Sequence, residues 1–577
     1  MNKNFVQDAM SEVESLLKNA FIKAMQDGKL PENEIPGFTV EIPAETSHGD
    51  FASNAAMVSA RAFRSAPVKI AAALKESMDF SSARYIERVE IAGPGFINFF
   101  VSPLWFADIV SGVLAEKEEY GRSDYGKGQK VMVEFVSANP TGPMHMGNAR
   151  GGAIGDCLAA AMDACGYDVT REFYINDAGN QIEKFGLSLE ARYLQIFKGE
   201  DAIAFPEDGY HGEDIKERAQ QYADVHGDCL LNLSSEERRR ALVDFALPKN
   251  IEKLRTDLSK YRIEYDVWFP ESTLHQSGAV KAVVDDLTAR GLTYEKDGAV
   301  WYKATEFGGE KDEVLVRANG NPTYFTADIA YHKNKFADRK FDRVINVWGA
   351  DHHGHVARLK GAMDAIGLDG SKLDIVLMQL VRLMKDGEPY RMSKRTGKAI
   401  TLSDLTDLVP IDAARFFFNM REPNSTLDFD LDLAVEESSQ NPVYYVQYAH
   451  ARICSILKNL SAQNIQPREC SAQELELLCA PEEKELIRAL AQCPQEIINA
   501  AKNYDPARMT HYLMEVATLF HKFYNACRVQ GEDEALMQAR ISLCIATRTV
   551  IANLLKLLKI TAPTSDSAER KNKKVTV

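Results

Sequence analysis

Between a β-type run, KVMVEFV (130–136), and a helix-type run expected to start near Ala153 lies NPTGPMHMGNARGG (139–152), with two prolines, four glycines and one histidine. A buried connection needs fewer turn formers, so this junction reads as a binding loop. In a parallel sheet, ligands bind beyond the carboxyl ends of the strands, beside helix N-termini. His145 and Asn148 would stand at such a positive end, both able to donate hydrogen bonds to anionic oxygens, and Gly147 would let a base or phosphate approach the backbone. A capped loop with a surface histidine is the plainer reading of the same residues. Glu134 sits within the preceding run, on the opposite face from Val133 and Phe135. A carboxylate in a strand covered on both faces has to meet a cation, either a charged ligand or a structural Lys or Arg.

Two further clusters carry chemistry. In LMKDGEPYRMSKRTGKAI (383–400), Asp386-Gly387 predicts a turn, and Ser393, Lys394, Thr396, Gly397 and Lys398 form a basic loop. Such a loop either closes over a polyphosphate or is a solvated surface segment. GADHHGH (349–355) brings three histidines close together, but local spacing alone does not give a tetrahedral metal site. Nucleotide or substrate contact and helix capping are its other readings. Tyr324 and Asp328, four residues apart in TYFTAD, would share one face of a helical turn.

The elements that must position these groups fall into three textures. Residues 1–115 mix helical patterns with short strands, and VEIAGPGFINFFVS (89–102) predicts strand, tight turn, strand. From 116 to 404, β-rich runs alternate with amphipathic helices, the pattern of a parallel sheet covered on both faces. Within it, about 185–300 is more charged and reads as an insertion. From 405 to 563 nearly everything is helix-like, and 564–577 is a polar tail expected to be flexible. The fold class is therefore α/β, with a Rossmann-type parallel-sheet domain, an α+β N-terminal domain and an all-α C-terminal domain.

The net charge of −15 and pI near 5.4 argue against coating nucleic acid by bulk charge, while leaving room for local basic faces. The nine cysteines include no C-x-x-C pair, which fits a reducing cytosol and gives no thiolate zinc site. The N-terminus is an amphipathic, acid-containing helix rather than an export signal. The long uncharged run 91–107 is broken by Gly93-Pro94-Gly95 and Pro103, so a cytoplasmic chain without a membrane partner is expected.

Taken as a pair, His145-Met146-Gly147-Asn148 and Arg391-Met392-Ser393-Lys394-Arg395 resemble the H-x-G-H and K-M-S-K-S signatures of class I aminoacyl-tRNA synthetases. Asn148 replaces the second histidine and Arg391 the first lysine. EFVSANPTGPMHMGNARGGAIGD (134–156), FYINDAGNQIEKFGLSLEARY (173–193), VLVRANGNPTYFTADIAYHKNKF (314–336), WGADHHGHVARLKGAM (348–363) and LMKDGEPYRMSKRTG follow one another as in the arginyl-tRNA synthetase family.

The resemblance implies ATP, with Mg2+, as co-substrate. L-arginine and tRNA(Arg) are the partners, and a monomer is the default. Residues 1–115 would grip the tRNA elbow and 405–563 the anticodon. It places Glu134, Ser137, Asn139, Tyr324, Asp328 and His352 on arginine. Pro140, Thr141, Gly142, His145, Gly147, Asn148, Gly349, Asp351, His352, Met392 and Lys394 fall on ATP. His145 and Asn148 would stabilise the pentavalent phosphate, with Lys394 and Ser393 gripping pyrophosphate and Arg391 and Lys398 as lesser contributors. Tyr444, Tyr448 and Arg452 are candidate tRNA contacts, although an aromatic stripe at helical spacing is also what core looks like. The family generally needs bound tRNA before it activates arginine.

Physics supports an arginine substrate. A guanidinium is a flat, permanent cation that needs carboxylates and in-plane acceptors, so charge alone discriminates and no proofreading domain is needed. An adenylyltransferase would lack the long helical domain, and a cysteine ligase would need zinc. A catalytically inactive tRNA-binding relative is the competing reading. Asn148 favours it, and Lys394, Glu134 and Asp328 oppose it.

Overall fold

The computed structural model describes residues 3–390, 399–531 and 533–565. In the N-terminal part, strands β1 (Val40–Glu41), β2 (Phe51–Ser53), β3 (Ile86–Ala92) and β4 (Phe96–Val101) form an antiparallel sheet of order β1-β2-β4-β3. The expected strand–turn–strand of 89–102 is the β3–β4 hairpin. Gly95 is obligatory in its turn: its φ is +132°, and an added Cβ would lie 2.7 Å from Pro67 Cβ. Phe5 and Phe21 of the Phe5–Gln26 helix join Phe51, Phe99 and Trp105 in one core.

The central sheet contains β5 (Lys130–Glu134), β6 (Asp168–Ile175) and β7 (Val267–Pro270). After a small antiparallel sheet of β8 (Thr293–Lys296), β9 (Ala299–Tyr302) and β10 (Glu313–Val316), the chain returns to it with β11 (Arg343–Gly349) and β12 (Leu373–Met378). All four pairings are parallel, in the order β12-β11-β5-β6-β7. The chain thus runs outward from β5 in one direction, then restarts at β11 on its other side. That reversal opens a crevice above the carboxyl ends of β5 and β11, the place where such sheets bind ligands. Val131, Met132 and Val133 have no exposure, as a strand covered on both faces requires.

Three expectations need correction. The helix after β5 begins at Met146, well before Ala153. Its glycines are not punctuation but clearance: a Cβ on Gly155 would lie 2.2 Å from Phe135, and one on Gly152 would lie 2.7 Å from Ile263. The stretch 185–300 is not uniformly an insertion. Helices Asn180–Lys198, Glu213–His226 and Ser235–Lys260 do close a separate core around Phe185, Tyr193, Ile215 and Leu242. Yet Val267–Pro270 is the edge strand of the main sheet, paired to β6. The region after 405 is not wholly helical either. Leu427–Asp430 (β15) pairs in parallel with β13 (Val381–Lys385), whose other neighbour is β14 (Glu388–Pro389).

Among the described residues, Glu534–Leu557 is the helix long and apolar enough to cross a membrane. Ile541, Val550, Ile551 and Leu554 of that helix lie inside the protein core.

Candidate active site

Strand β5 ends in a strained corner. Val136 has φ +70° and Ser137 φ +43°, and the Ser137 N–H donates to the Phe135 carbonyl at 3.1 Å. This is a γ-turn with a β-branched residue at its centre, a conformation that persists only where its surroundings hold it. The turn folds Ser137 back onto the strand, where its hydroxyl donates to Glu134 Oε1 at 2.9 Å and accepts the Tyr174 N–H at 3.1 Å. Glu134 is buried, and its cation is Lys335, whose Nζ lies 2.5 Å from Oε2. Of the two fates open to the Glu134 carboxylate, the structure supplies the internal ion pair. Asn139 is exposed just beyond, Pro140 and Thr141 are buried, and Asn250 Nδ2 donates to the Pro140 carbonyl at 2.9 Å.

Beside this corner lies an acidic cluster, of which the sequence reading found Asp328 and missed Glu271 and Tyr174. Glu271, directly after β7, is buried and accepts from His275 Nε2 at 3.0 Å. Burial raises its carboxyl above the ordinary range, and Asp328 adds to this against the opposing pull of His275 and Tyr174. Burial, then Glu271 and Asp328, push the Tyr174 phenol far up. The Tyr174 hydroxyl is buried beside Glu271, and Asn176 Oδ1 and Gln181 Nε2 are buried with no hydrogen-bond partner among the described residues. Tyr324 opens the Tyr324–Lys333 helix, with its ring half exposed against Gly179. Asp328, one turn on, accepts from His355 Nε2 at 2.7 Å. Arg358 Nε donates to the other nitrogen of that ring at 2.6 Å, so the proton of His355 sits on Nε2 and points at Asp328. Two carboxylates and a phenol gathered in one cluster suit a flat cation with several N–H donors.

The phosphate side of the crevice is built on the Met146–Ala164 helix. His145 is its exposed N-cap, and nothing lies within 4 Å of a Cβ placed on Gly147, so a ligand has room at this helix end. Asn148 has a structural task as well: its Oδ1 accepts the His145 N–H at 2.9 Å, which leaves its amide nitrogen as the donor. Gly142 is likewise uncrowded. Gly349 ends β11, and Asp351 and His352 follow on an exposed turn lining a cavity of about 360 Å³ shared with Glu313, His355 and Arg358.

Among the described residues, no group of three or more His, Cys, Asp or Glu side chains is placed to hold a metal ion. Met392, Ser393 and Lys394, with Arg391 and Lys398, lie outside the described residues. Their flanks are placed. Tyr390 N–H donates to the Leu383 carbonyl at 2.7 Å, while Leu402 N–H donates to the Met144 carbonyl at 3.0 Å and Thr401 bridges His145. The chain that resumes at 399 is therefore bonded to the histidine loop.

The aromatic stripe on the Pro442–Ala462 helix is neither free nor core. Tyr444 and Tyr448 are half buried with rings 6.3 Å apart and nearly parallel, Tyr448 stacks on His521, and the exposed Arg452 covers the Tyr524 ring at 5.1 Å.

A doubly wound sheet and a histidine-bearing helix N-terminus at its switch point define a class I synthetase-type catalytic domain. Comparison with known proteins is in accord. Residues 109–455 match the family "tRNA synthetases class I (R), catalytic domain", 11–101 the "Arginyl tRNA synthetase N terminal domain", and 446–565 the "DALR anticodon binding domain". The arginine–tRNA ligase of Acetivibrio thermocellus is 57% identical over 97% of this chain and 99% of its own length. That of Ruminiclostridium cellulolyticum is 55% identical over the same shares. The Thermus thermophilus arginyl-tRNA synthetase structure, at 21% identity, shares the fold, with a TM-score of 0.71 over 96% of this chain and 99% of that one. The chain belongs to the arginyl-tRNA synthetase family.

Proposed function

We propose that the chain joins L-arginine to tRNA(Arg) at the expense of ATP. The arginine carboxylate attacks the α-phosphate, forming arginyl-adenylate and releasing pyrophosphate. The 2′-hydroxyl of the tRNA's terminal adenosine then attacks the adenylate's carbonyl carbon, releasing AMP. No protein nucleophile takes part, so the work is positioning and charge stabilisation. The observation that carries this reading is the cluster of Glu271, Tyr174 and Asp328 at the carboxyl edge of the sheet, which suits a guanidinium.

In this reading Tyr324 and Asp328 bind the arginine side chain, joined by Glu271 and Tyr174, while Ser137, Asn139 and His352 line its path and Glu134 supports it from below. Pro140, Thr141, Gly142, Gly147, Gly349, Asp351 and Met392 line the ATP site. His145 and the Asn148 amide meet the phosphates, and Lys394 and Ser393 the leaving pyrophosphate. Mg2+ would enter with ATP as part of the substrate. Residues 1–115 and the face bearing Tyr444, Tyr448 and Arg452 contact tRNA, and the enzyme acts as a cytoplasmic monomer.

Arginine-dependent ATP–pyrophosphate exchange, run with and without tRNA against a panel of other amino acids, tests the whole. Exchange with arginine alone, and only with tRNA present, is the expected result; tRNA binding without exchange would leave an inactive relative. Within that assay, Asp328→Asn is expected to lower kcat/KM for arginine about ten- to a hundredfold, the worth of one charge-assisted hydrogen bond. The KM for ATP should hold, and the preference for arginine over neutral citrulline should shrink. An unchanged arginine KM would remove Asp328 from the pocket.

A further inference from the structure

Lys335 is a fully buried lysine carried by a π-turn, Asn334–Asp338, that continues the Tyr324–Lys333 helix. A π-turn inserts a residue into the helical ladder and re-aims the side chains beyond it, and such turns gather at functional sites. Here it sends the ammonium group beneath the crevice between β5 and β11. Its donors go to Glu134 Oε2 at 2.5 Å and Asn346 Oδ1 at 3.2 Å, over the Tyr331 ring at 4.1 Å.

From Lys335 hydrogen bonds run both ways. Through Glu134 they reach the Ser137 hydroxyl and, from it, the Tyr174 N–H. Through Asn346 they reach His332, whose Nε2 lies 2.8 Å from Asn346 Nδ2 and whose Nδ1 lies 2.7 Å from the Asp328 carbonyl. Burial, with Lys335 adding to it, keeps His332 neutral. Its Nδ1 therefore donates to Asp328 while Nε2 accepts from Asn346. The chain ends on the backbone of two residues of the acidic cluster, at the Tyr174 N–H and the Asp328 carbonyl. The strained Val136–Ser137 corner is held by the same bonds.

We propose that Lys335 is a positioning residue for arginine, fixing through Glu134 and Asn346 the relative placement of Tyr174 and Asp328. It touches neither arginine nor ATP. A buried ion pair is seldom the best filler of a core, since apolar residues of similar volume often serve as well or better. A chain that joins two residues of a binding site gives this pair something else to do.

The inference rests on the acidic cluster being the arginine site. Exchange kinetics of Lys335→Met are compared with wild type at varied arginine and varied ATP, alongside the double variant Asp328→Asn/Lys335→Met. The expected result is an arginine KM raised about tenfold or more, as for loss of a charge-assisted hydrogen bond, with the ATP KM within about twofold. In the double variant the two effects should combine to less than their product, as coupled residues do. If Lys335→Met does not fold, Glu134→Gln/Lys335→Met leaves no lone buried charge and is judged by the same split. Equal rises in both KM values, no change in either, or strict multiplicativity with Asp328→Asn would reduce Lys335 to structure. Failure of wild type to exchange with arginine would overturn the functional reading itself, whereas normal wild-type exchange with an unaffected Lys335→Met overturns this inference alone.

Discussion

His145→Ala is expected to slow arginine-dependent pyrophosphate exchange about a hundred- to a thousandfold, or roughly 3–4 kcal/mol of barrier, while leaving stability nearly untouched. The argument is geometric. His145 is exposed at the N-cap of the Met146–Ala164 helix, with Gly147 beside it and open space in front. Its ring is not what holds the helix start. That is done by the His145 N–H on Asn148 Oδ1 and by the backbone bond from Leu402 to Met144. An alanine keeps both, so a surface-sized stability change within about 0.5 kcal/mol is expected. A donor that matters only when charge builds on the α-phosphate should lower kcat and kcat/KM together.

Asn148→Ala offers the contrast. It removes both the acceptor of the N-cap N–H, a hydrogen bond worth about 0.5–1.5 kcal/mol of stability, and the amide donor, so rate and denaturation midpoint fall together. A loss of less than about fivefold in His145→Ala would remove this side chain from transition-state stabilisation and leave the helix N-terminus to do the work.

What was legible in the sequence follows the range of the interactions concerned. β5 and its carboxylate could be read because a strand buried on both faces makes any charge conspicuous, and Glu134 does meet a cation. That the cation is Lys335 could not be read, because the 3.6-residue period that predicts helix faces fails inside a π-turn. Glu271 was hidden for another reason. It follows a four-residue strand embedded in charged helical sequence, and only the pairing of β7 to β6 reveals that this strand carries part of the cluster. Tyr174 looked like one more aromatic on a β-run, and only the folded chain brings its hydroxyl beside Glu271 and Asp328. The glycines misled in the opposite direction. Gly151 and Gly152 suggested a longer turn, whereas Gly152's lack of a side chain lets the helix press against Ile263, as Gly155's does against Phe135. Residue type announces charge and flexibility, but close approach and convergence belong to the sheet order.

The largest stability effect is expected away from the chemistry, at Asp156. It lies on the same helix as His145, has no exposure, and accepts from Arg415 at 2.6 Å, Lys559 at 3.0 Å and Arg171 at 3.1 Å. Arg415 is also fully buried and donates to the Leu558 carbonyl at 2.7 Å. One carboxylate therefore joins the Met146–Ala164 helix, β6, the Ile411–Phe418 helix and the end of the Glu534–Leu557 helix. Asp156→Asn keeps the shape but strands Arg415 without its anion, which costs about 3–5 kcal/mol. By contrast, Asp428→Asn at the exposed Arg382 pair should cost at most about 1 kcal/mol.

The pH dependence has a definite sign. Burial works to raise the Asp156 carboxyl, but Arg415, Lys559 and Arg171 overcome it and hold it below the usual carboxylate range. A depressed carboxyl contributes stability above the unfolded value near 4 and loses it as pH falls through the folded value. The gap between wild type and Asp156→Asn in denaturant unfolding should thus be constant from about pH 5 to 8 and close only in acid below about 4. Equal midpoints at pH 7 would show that the three cations find other partners. A gap that widened toward acid would mean that Asp156 is protonated in the folded chain.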